Sequence, residues 1–249
     1  MKSLKFAKFQ IAEMIPSTGI FYLIFLLVLI FLVSLNSSNG NTNTSGLEFA
    51  SIIFLFILGL SCFRSSFNFS QANNISRKLF YKGTIMSIFP IAMTMSILDL
   101  IINRIYNNFI PSPTNFDMIY GSYRDTGMRD ASGVITWVQE NDVFTLLGTT
   151  IWQFALYSLV FITGILITLI YYRSNKPLKV LVSVVPVMLI ISLNTTSGWI
   201  SQSFLSGIKD FAAFAFLENS YLAALSYGII GAVFSMFIYL LTKRAIIKD

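Results

Sequence analysis

Six separate runs of about 20 apolar residues divide this chain, and a run of that length without charge is what a helix needs to cross the hydrocarbon core of a bilayer. They lie at about 15–35, 49–69, 84–106, 144–172, 177–193 and 220–242. In hydrocarbon every backbone N–H and C=O has to be bonded within its own segment, so the expected fold class is all-α: a polytopic membrane protein of six transmembrane helices. The spans take up most of residues 1–249, which therefore read as one membrane domain with no room for a separate soluble one. Charged residues are 11% of the sequence, against roughly 25% in a soluble domain. The first run follows Lys2, Lys5 and Lys8 as a signal peptide would. Its apolar core from Ile20 to Val33 lies within a stretch longer than the usual h-region, and no small-x-small cleavage site follows, so it is expected to stay as the first helix.

Loop charge sets the expected orientation, because Lys and Arg are retained on the cytoplasmic face. Lys2, Lys5 and Lys8, then Arg64, Arg77, Lys78 and Lys82, then Arg173, Lys176 and Lys179, and finally Lys243, Arg244 and Lys248 fall on one side of the six-span arrangement. Arg104, Arg124, Arg129 and Lys209 fall on the other, among Asp117, Asp125, Asp130, Glu140, Asp142, Asp210 and Glu218. Both termini are thus expected in the cytoplasm. The net charge of +6 follows from this topology, and no nucleic-acid partner is expected, since no soluble fold carries a basic patch.

Three segments read as more than spans or short turns. Leu4, Ala7, Ile11 and Met14 repeat at helical spacing with Lys2 and Lys5 turned away and Lys8 nearby, which predicts an N-terminal interfacial helix on the inner leaflet, broken from the first span by Pro16. A frayed basic lead-in is the alternative. The outer stretch from about Asn107 to Val143, with Pro111 and Pro113 at its start and a short helix suggested around Val134 to Val138, is either a lid over an outer exit or a packing loop. From Asn194 to Asn219 a polar start gives way to Phe204, Leu205, Ile208, Phe211, Phe214 and Phe216. This predicts a re-entrant helical hairpin between helices five and six, with a turn near Gly207, Lys209 and Asp210, whose residues Phe204, Ile208, Phe211 and Phe214 form an outer gate.

The sequence has no histidine and one cysteine, Cys62, so the usual general base and zinc ligand are missing and no intrachain disulfide can form; no metal site is expected. Asp99 lies within the third span with Asn103 and Arg104 just beyond, and an Asp99–Arg104 ion pair or an interfacial position is the expectation for it. No Gly-x-x-x-x-Gly-Lys-Ser/Thr loop occurs, so ATP hydrolysis by the ordinary phosphate loop would belong to another chain. Gly228, Gly231 and Ala232 give the last span a small-residue face suited to close helix packing, within the chain or with another.

The cytoplasmic stretch Asn74-Ile75-Ser76-Arg77-Lys78-Leu79-Phe80-Tyr81-Lys82-Gly83 leads straight into the third span, with Ser76 a fair N-cap. It resembles the Gly-x-Ser-Arg-Lys-x-x-Phe type box between the second and third spans of type-2 ABC transporter permeases, with Asn74 where that family often has Gly. The layout is similar throughout: an amphipathic N-terminal helix, a basic loop between spans two and three, a re-entrant segment between spans five and six, and a short basic tail. In size the chain is similar to bacterial peptide-toxin exporters such as the phenol-soluble modulin exporter permeases and the lantibiotic immunity permeases.

The resemblance implies a permease subunit of an ATP-driven exporter in the bacterial cell membrane, without its own ATPase site. It implies a soluble P-loop ATPase as partner, docked at Ser76, Arg77, Lys78, Phe80 and Lys82, and a second permease copy or homologue. It implies ATP and magnesium in the partner, no cofactor bound by this chain, membrane lipids around it and amphipathic peptides as cargo. The rivals are a secondary transporter or channel, and an ATP-independent immunity or scaffold protein; a histidine-based intramembrane protease is excluded by composition.

Overall fold

A computed structural model describes residues 2–39, 44–121, 123, 137, 139–175, 177–184 and 202–243. Every regular element among them is a helix: α1 (Lys2–Asn39), α2 (Glu48–Ala72), α3 (Arg77–Tyr106), α4 (Asn115–Ile119), α5 (Val143–Arg173), α6 (Gln202–Phe216) and α7 (Ser220–Lys243). Five of them, α1, α2, α3, α5 and α7, are long and apolar enough to cross a membrane. Of the expected fifth span, 177–184 is helical and 185–193 lies outside the described residues.

The local starts and stops are legible in side-chain chemistry. Ser76 has extended backbone and accepts from the Leu79 amide, which caps α3. Asp142 does the same for α5, accepting from the Phe144 and Thr145 amides, and these bonds hold its carboxyl below the usual range. α4 opens on a reciprocal capping box between Thr114 and Asp117.

Two expectations are corrected. α1 is one continuous helix with Pro16 inside it, not an interfacial helix broken from a span. A proline removes one intrahelical bond and can kink a helix without ending it. Here the segment before Pro16 is held by packing of its own: Phe6, Ala7, Gln10 and Met14 are buried, and the Phe6 ring lies 5.7 Å from that of Phe80. The buried stripe is shifted from the expected one, since Leu4 is exposed while Lys5 and Lys8 face outward. Second, α6 runs through Gly207 and the Lys209–Asp210 pair without a turn; the stretch before it, 194–201, lies outside the described residues.

α5 is the hub, packing on α7, α2 and α3, while α1 packs mainly on α3. The α2–α5 crossing is a backbone contact. A Cβ on Gly59 would stand 2.5 Å from the Phe161 carbonyl oxygen, and one on Gly164 2.5 Å from that of Phe56. Thr168 in α5 donates across the same seam to the Leu60 carbonyl at 2.8 Å. This is the small-residue association of helices in lipid, where close packing replaces the hydrophobic drive. The small face expected on the last span is looser: a Cβ on Gly228 would meet nothing within 4 Å, and Gly228, Gly231 and Ala232 line an apolar groove of about 580 Å³ between α3, α5 and α7.

The helix ends sort into two sets. At one end Arg77 donates to the Lys243 carbonyl, Arg173 to that of Leu241, and Phe9 stacks on Phe69 at 4.5 Å, so the start of α1, the α2–α3 junction and the ends of α5 and α7 lie together. At the other, the Gly46 amide donates to the Pro113 carbonyl and the Tyr120 hydroxyl to that of Phe216. The first end is basic and the second carries Glu140, Asp142 and Glu218.

Replacing Gly59 or Gly164 by alanine is expected to push α2 off α5 and cost about 1–3 kcal/mol, the range for overpacked cores. Gly228→Ala, with open space at its Cβ, is expected to cost far less. Melting of the purified protein in detergent compares the three; equal losses would show that the α2–α5 approach is not what holds the bundle.

Candidate functional site: a polar layer inside the bundle

Asp99 sits where helical periodicity puts it, on the face of α3 that Ile88, Ile91, Ala92 and Met95 also present to the core, and it is 4% exposed. The Tyr22 hydroxyl of α1 donates to Oδ1 at 2.8 Å and the Tyr157 hydroxyl of α5 to Oδ2 at 2.5 Å. Tyr22 also lies 3.2 Å from the Met95 carbonyl oxygen, a second acceptor for its single proton. Ser51 of α2 adjoins Asp99 and Tyr22 but has no bond of ordinary geometry. One carboxylate thus gathers groups from four helices. A buried charge in a low-dielectric interior is tolerable when its oxygens accept bonds in this way.

The expected Asp99–Arg104 pair does not form. Five residues along a helix turn through about 500°, so the two side chains leave opposite sides of α3 rather than one face. Arg104 approaches Asp117 of α4 instead, at 3.9 Å from Nη1 to Oδ2. Neither is Asp99 an interfacial residue that reaches water.

Between Asp99 and the acidic end lies a second group. Glu48, at the start of α2, is 2% exposed; its Oε2 meets the Asn115 amide at 3.4 Å and its Oε1 has no partner. Gln153, one turn nearer that end than Tyr157 on α5, is fully buried with both amide atoms unpartnered. Asn103 donates to the Ser112 carbonyl at 3.0 Å and accepts from Gln139 and Asn107. Burial pushes the Asp117 carboxyl above its ordinary range, while bonds from Thr114 and the charge of Arg104 pull it back. Below Asp99 the core is dry through Met95, Leu55, Ile88, Phe161 and Ile165, until Gln10 donates to Thr84 at 3.1 Å and accepts from Ser87 at the basic end.

The other expected site residues are dispersed. Ser76, Lys78 and Lys82 are exposed, Arg77 is spent on the end of α7, and Phe80 is 1% exposed in a core cluster with Phe63 and Phe67, so it is not free for a partner. Lys5 and Lys8 are exposed; Lys2 begins α1 and its side chain lies outside the described residues. Phe211 and Phe214 are exposed on α6, and the side chains of Phe204 and Ile208 are not described. The sequence reading missed Tyr22, Glu48, Ser51, Gln153 and Tyr157. Glu48 was the visible one, an acid opening an apolar run. Among the described residues, no group of three or more Cys, Asp or Glu side chains could hold a metal ion.

Asp99→Leu is expected to orphan the Tyr157 hydroxyl, whereas Tyr22 can turn to the Met95 carbonyl; an unsatisfied buried donor costs about 1–3 kcal/mol. Adding Tyr157→Phe should therefore recover most of the loss and adding Tyr22→Phe little. Denaturant titrations of the purified variants measure this, and equal recovery by both would mean that the carboxylate does not hold Tyr157 as described.

No family model, no curated protein and no solved structure matches this chain, so the chemistry of the site rests on its own geometry.

Proposed function

We propose that this chain is the membrane-spanning permease subunit of an ATP-driven exporter in a bacterial cell membrane, moving amphipathic peptides outward by alternating access. The observation that carries this reading is the junction at the basic end. There the 74–82 segment touches three helices at once: Phe80 is packed under the start of α1, Arg77 holds the end of α7, and Ser76 starts α3. Beside it a cavity of about 670 Å³ opens between α1 and the α2–α3 turn, lined by Lys5, Phe9, Phe69, Asn73, Asn74 and Ser76. A force applied to this segment would be passed to α1, α3 and α7 together, which is what a subunit without a phosphate loop needs from an external ATPase. Asn74 adopts a left-handed backbone with φ of 54°, a conformation that glycine takes freely and asparagine tolerates. The exchange of Gly for Asn in the box is therefore compatible with the same turn.

Docking falls on Lys78, Lys82 and the cavity rim in this reading, with ATP and magnesium held by a P-loop partner and a second permease copy completing the path. A sixth crossing at 177–193 is part of it. It is supported by the places of Arg173 and Phe216 at opposite ends of the bundle and by the apolar composition of 177–193. With six crossings both termini share the basic, cytoplasmic side. The outer gate is then α6 with its exposed Phe211 and Phe214, rather than a hairpin.

One observation favours a second reading, a secondary transporter: Asp99 and Glu48 are both buried within spanning helices, where ionisable groups often mark ion or proton pathways.

The purified chain alone is expected to show no ATPase activity, and a co-expressed P-loop protein is expected to co-purify and hydrolyse ATP. Lys78→Glu with Lys82→Glu should abolish that co-purification while cysteine mapping of the termini finds the topology unchanged. Peptide transport into sealed vesicles driven by a proton or sodium gradient, with no ATPase present, would refute the ATP-driven reading and favour the secondary transporter.

A further inference from the structure

We propose that residues 107–121, α4 with the loop leading to it, form a lid over the polar layer at the acidic end, held by a two-position latch in which Arg104 exchanges between Asp117 on the lid and Glu48 on the bundle. This goes beyond the transport reading and needs no ATPase.

The lid covers a great deal but is fastened lightly. Ile110, Ser112, Thr114, Asn115, Phe116 and Asp117 are all buried. Phe116 belongs to a satellite cluster with Trp152 and Ala223, separate from the main core. The lid's hydrogen bonds to the bundle include the Gly46 amide to Pro113 at 3.1 Å, Asn103 to the Ser112 carbonyl at 3.0 Å, the Asn115 amide to Glu48 at 3.4 Å and the Tyr120 hydroxyl to the Phe216 carbonyl.

Arg104 stands beside the lid carboxylate of Asp117, and Glu48 reaches the same short helix two residues earlier, at the Asn115 amide. The Arg104 Nε, Nη1 and Nη2 atoms are buried and make no hydrogen bond; the nearest carboxylate oxygen, on Asp117, is 3.9 Å away. A guanidinium gains most from a carboxylate at about 2.7–2.9 Å with two parallel bonds, so a shift of roughly 1 Å toward Asp117 would gain charge-assisted bonds, and the unpartnered Oε1 of Glu48 is the competing acceptor at this lid. One cation cannot make bidentate pairs with both, and this competition gives the latch its two positions. Pairing with Asp117 ties the lid to α3. Pairing with Glu48 ties α3 to α2 and leaves the lid held by its aromatic seat.

Opening also has something to gain. Beneath the lid Ser51 Oγ, Glu48 Oε1 and both amide atoms of Gln153 have no partner. Buried polar groups without partners are costly, and water admitted past the lid would satisfy all of them. Closed and open arrangements are thereby brought near balance, as a gate requires.

The test uses the full chain with Cys62→Ser and a single Ser51→Cys, labelled in sealed membranes by an impermeant maleimide from the acidic side. Cys at position 51 should react slowly. Asp117→Asn should speed labelling, roughly tenfold, by removing the closed partner, and Asp117→Glu should restore slow labelling. Glu48→Gln should slow it below the parent, because Arg104 is left with Asp117 alone. These opposite signs separate a latch from a structural role, since two carboxylates that merely supported the fold would both loosen it. Faster labelling in Glu48→Gln, or no change in Asp117→Asn, overturns the proposal. Melting of each variant identifies any that is simply unfolded, and the unaffected carboxylate then still decides the outcome by its sign.

Discussion

The approach of α2 to α5 at Gly59 and Gly164 sets the scale of everything else in the bundle. With carbonyl oxygens 2.5 Å from where side-chain carbons would stand, the two backbones are as close as helices come. That proximity puts Ser51 and Glu48 of α2 beside Tyr157 and Gln153 of α5, within reach of a short side chain such as Asp99 from α3. An aspartate spans little distance. The Tyr157 hydroxyl accordingly meets the carboxylate at 2.5 Å, across the neighbouring contact of α5 with α3. Apolar packing in lipid has little drive of its own, so a fold of this kind gets its specificity from such close approaches and from polar groups that must find each other.

Those polar groups are arranged in layers rather than in a continuous column. Gln10 with Thr84 and Ser87 marks the basic end; Asp99 and its tyrosines mark a level nearer the acidic end; Leu55, Ile88, Ile91, Met95, Phe161 and Ile165 fill the space between. On the outside of the bundle, grooves between α1 and α3 and between α3, α5 and α7 are lined almost wholly by apolar side chains.

Fold class and the positions of five spans were legible because hydrocarbon length and backbone satisfaction leave few alternatives. Ser76 was legible as a cap from its local sequence, whereas Asp142, expected only as one of the outer acids, caps α5 in the structure. Pro16 misled because its effect depends on what packs around it. Phe6 and Met14 anchor the segment before it, and Phe6, which lies off the expected apolar stripe, is what docks it onto Phe80. Asp99 stood out as an acid in a span, but its partners did not. Tyr22 and Tyr157 lie 77 and 58 residues away in the chain, and nothing in local periodicity distinguishes a tyrosine that binds a carboxylate from one facing lipid. The pairing of Arg104 with Asp117 needed the loop to fold back, which no spacing along α3 encodes.

The two ends of the bundle differ in how firmly they are tied. At the basic end Arg77 and Arg173 donate to the last carbonyls of α7, stacked aromatic rings join α1 to α2 and α3, and the Phe63–Phe67–Phe80 cluster lies in the main core. Arginines at a helix C-terminus also complement its dipole. At the acidic end the corresponding closure rests on a satellite cluster and a guanidinium with unspent donors. The basic end is therefore the firmer of the two. α3 runs from one to the other, beginning at Ser76 and carrying Asp99 and Arg104 on its last three turns. Any tilt of that helix changes the distance of Arg104 from Asp117.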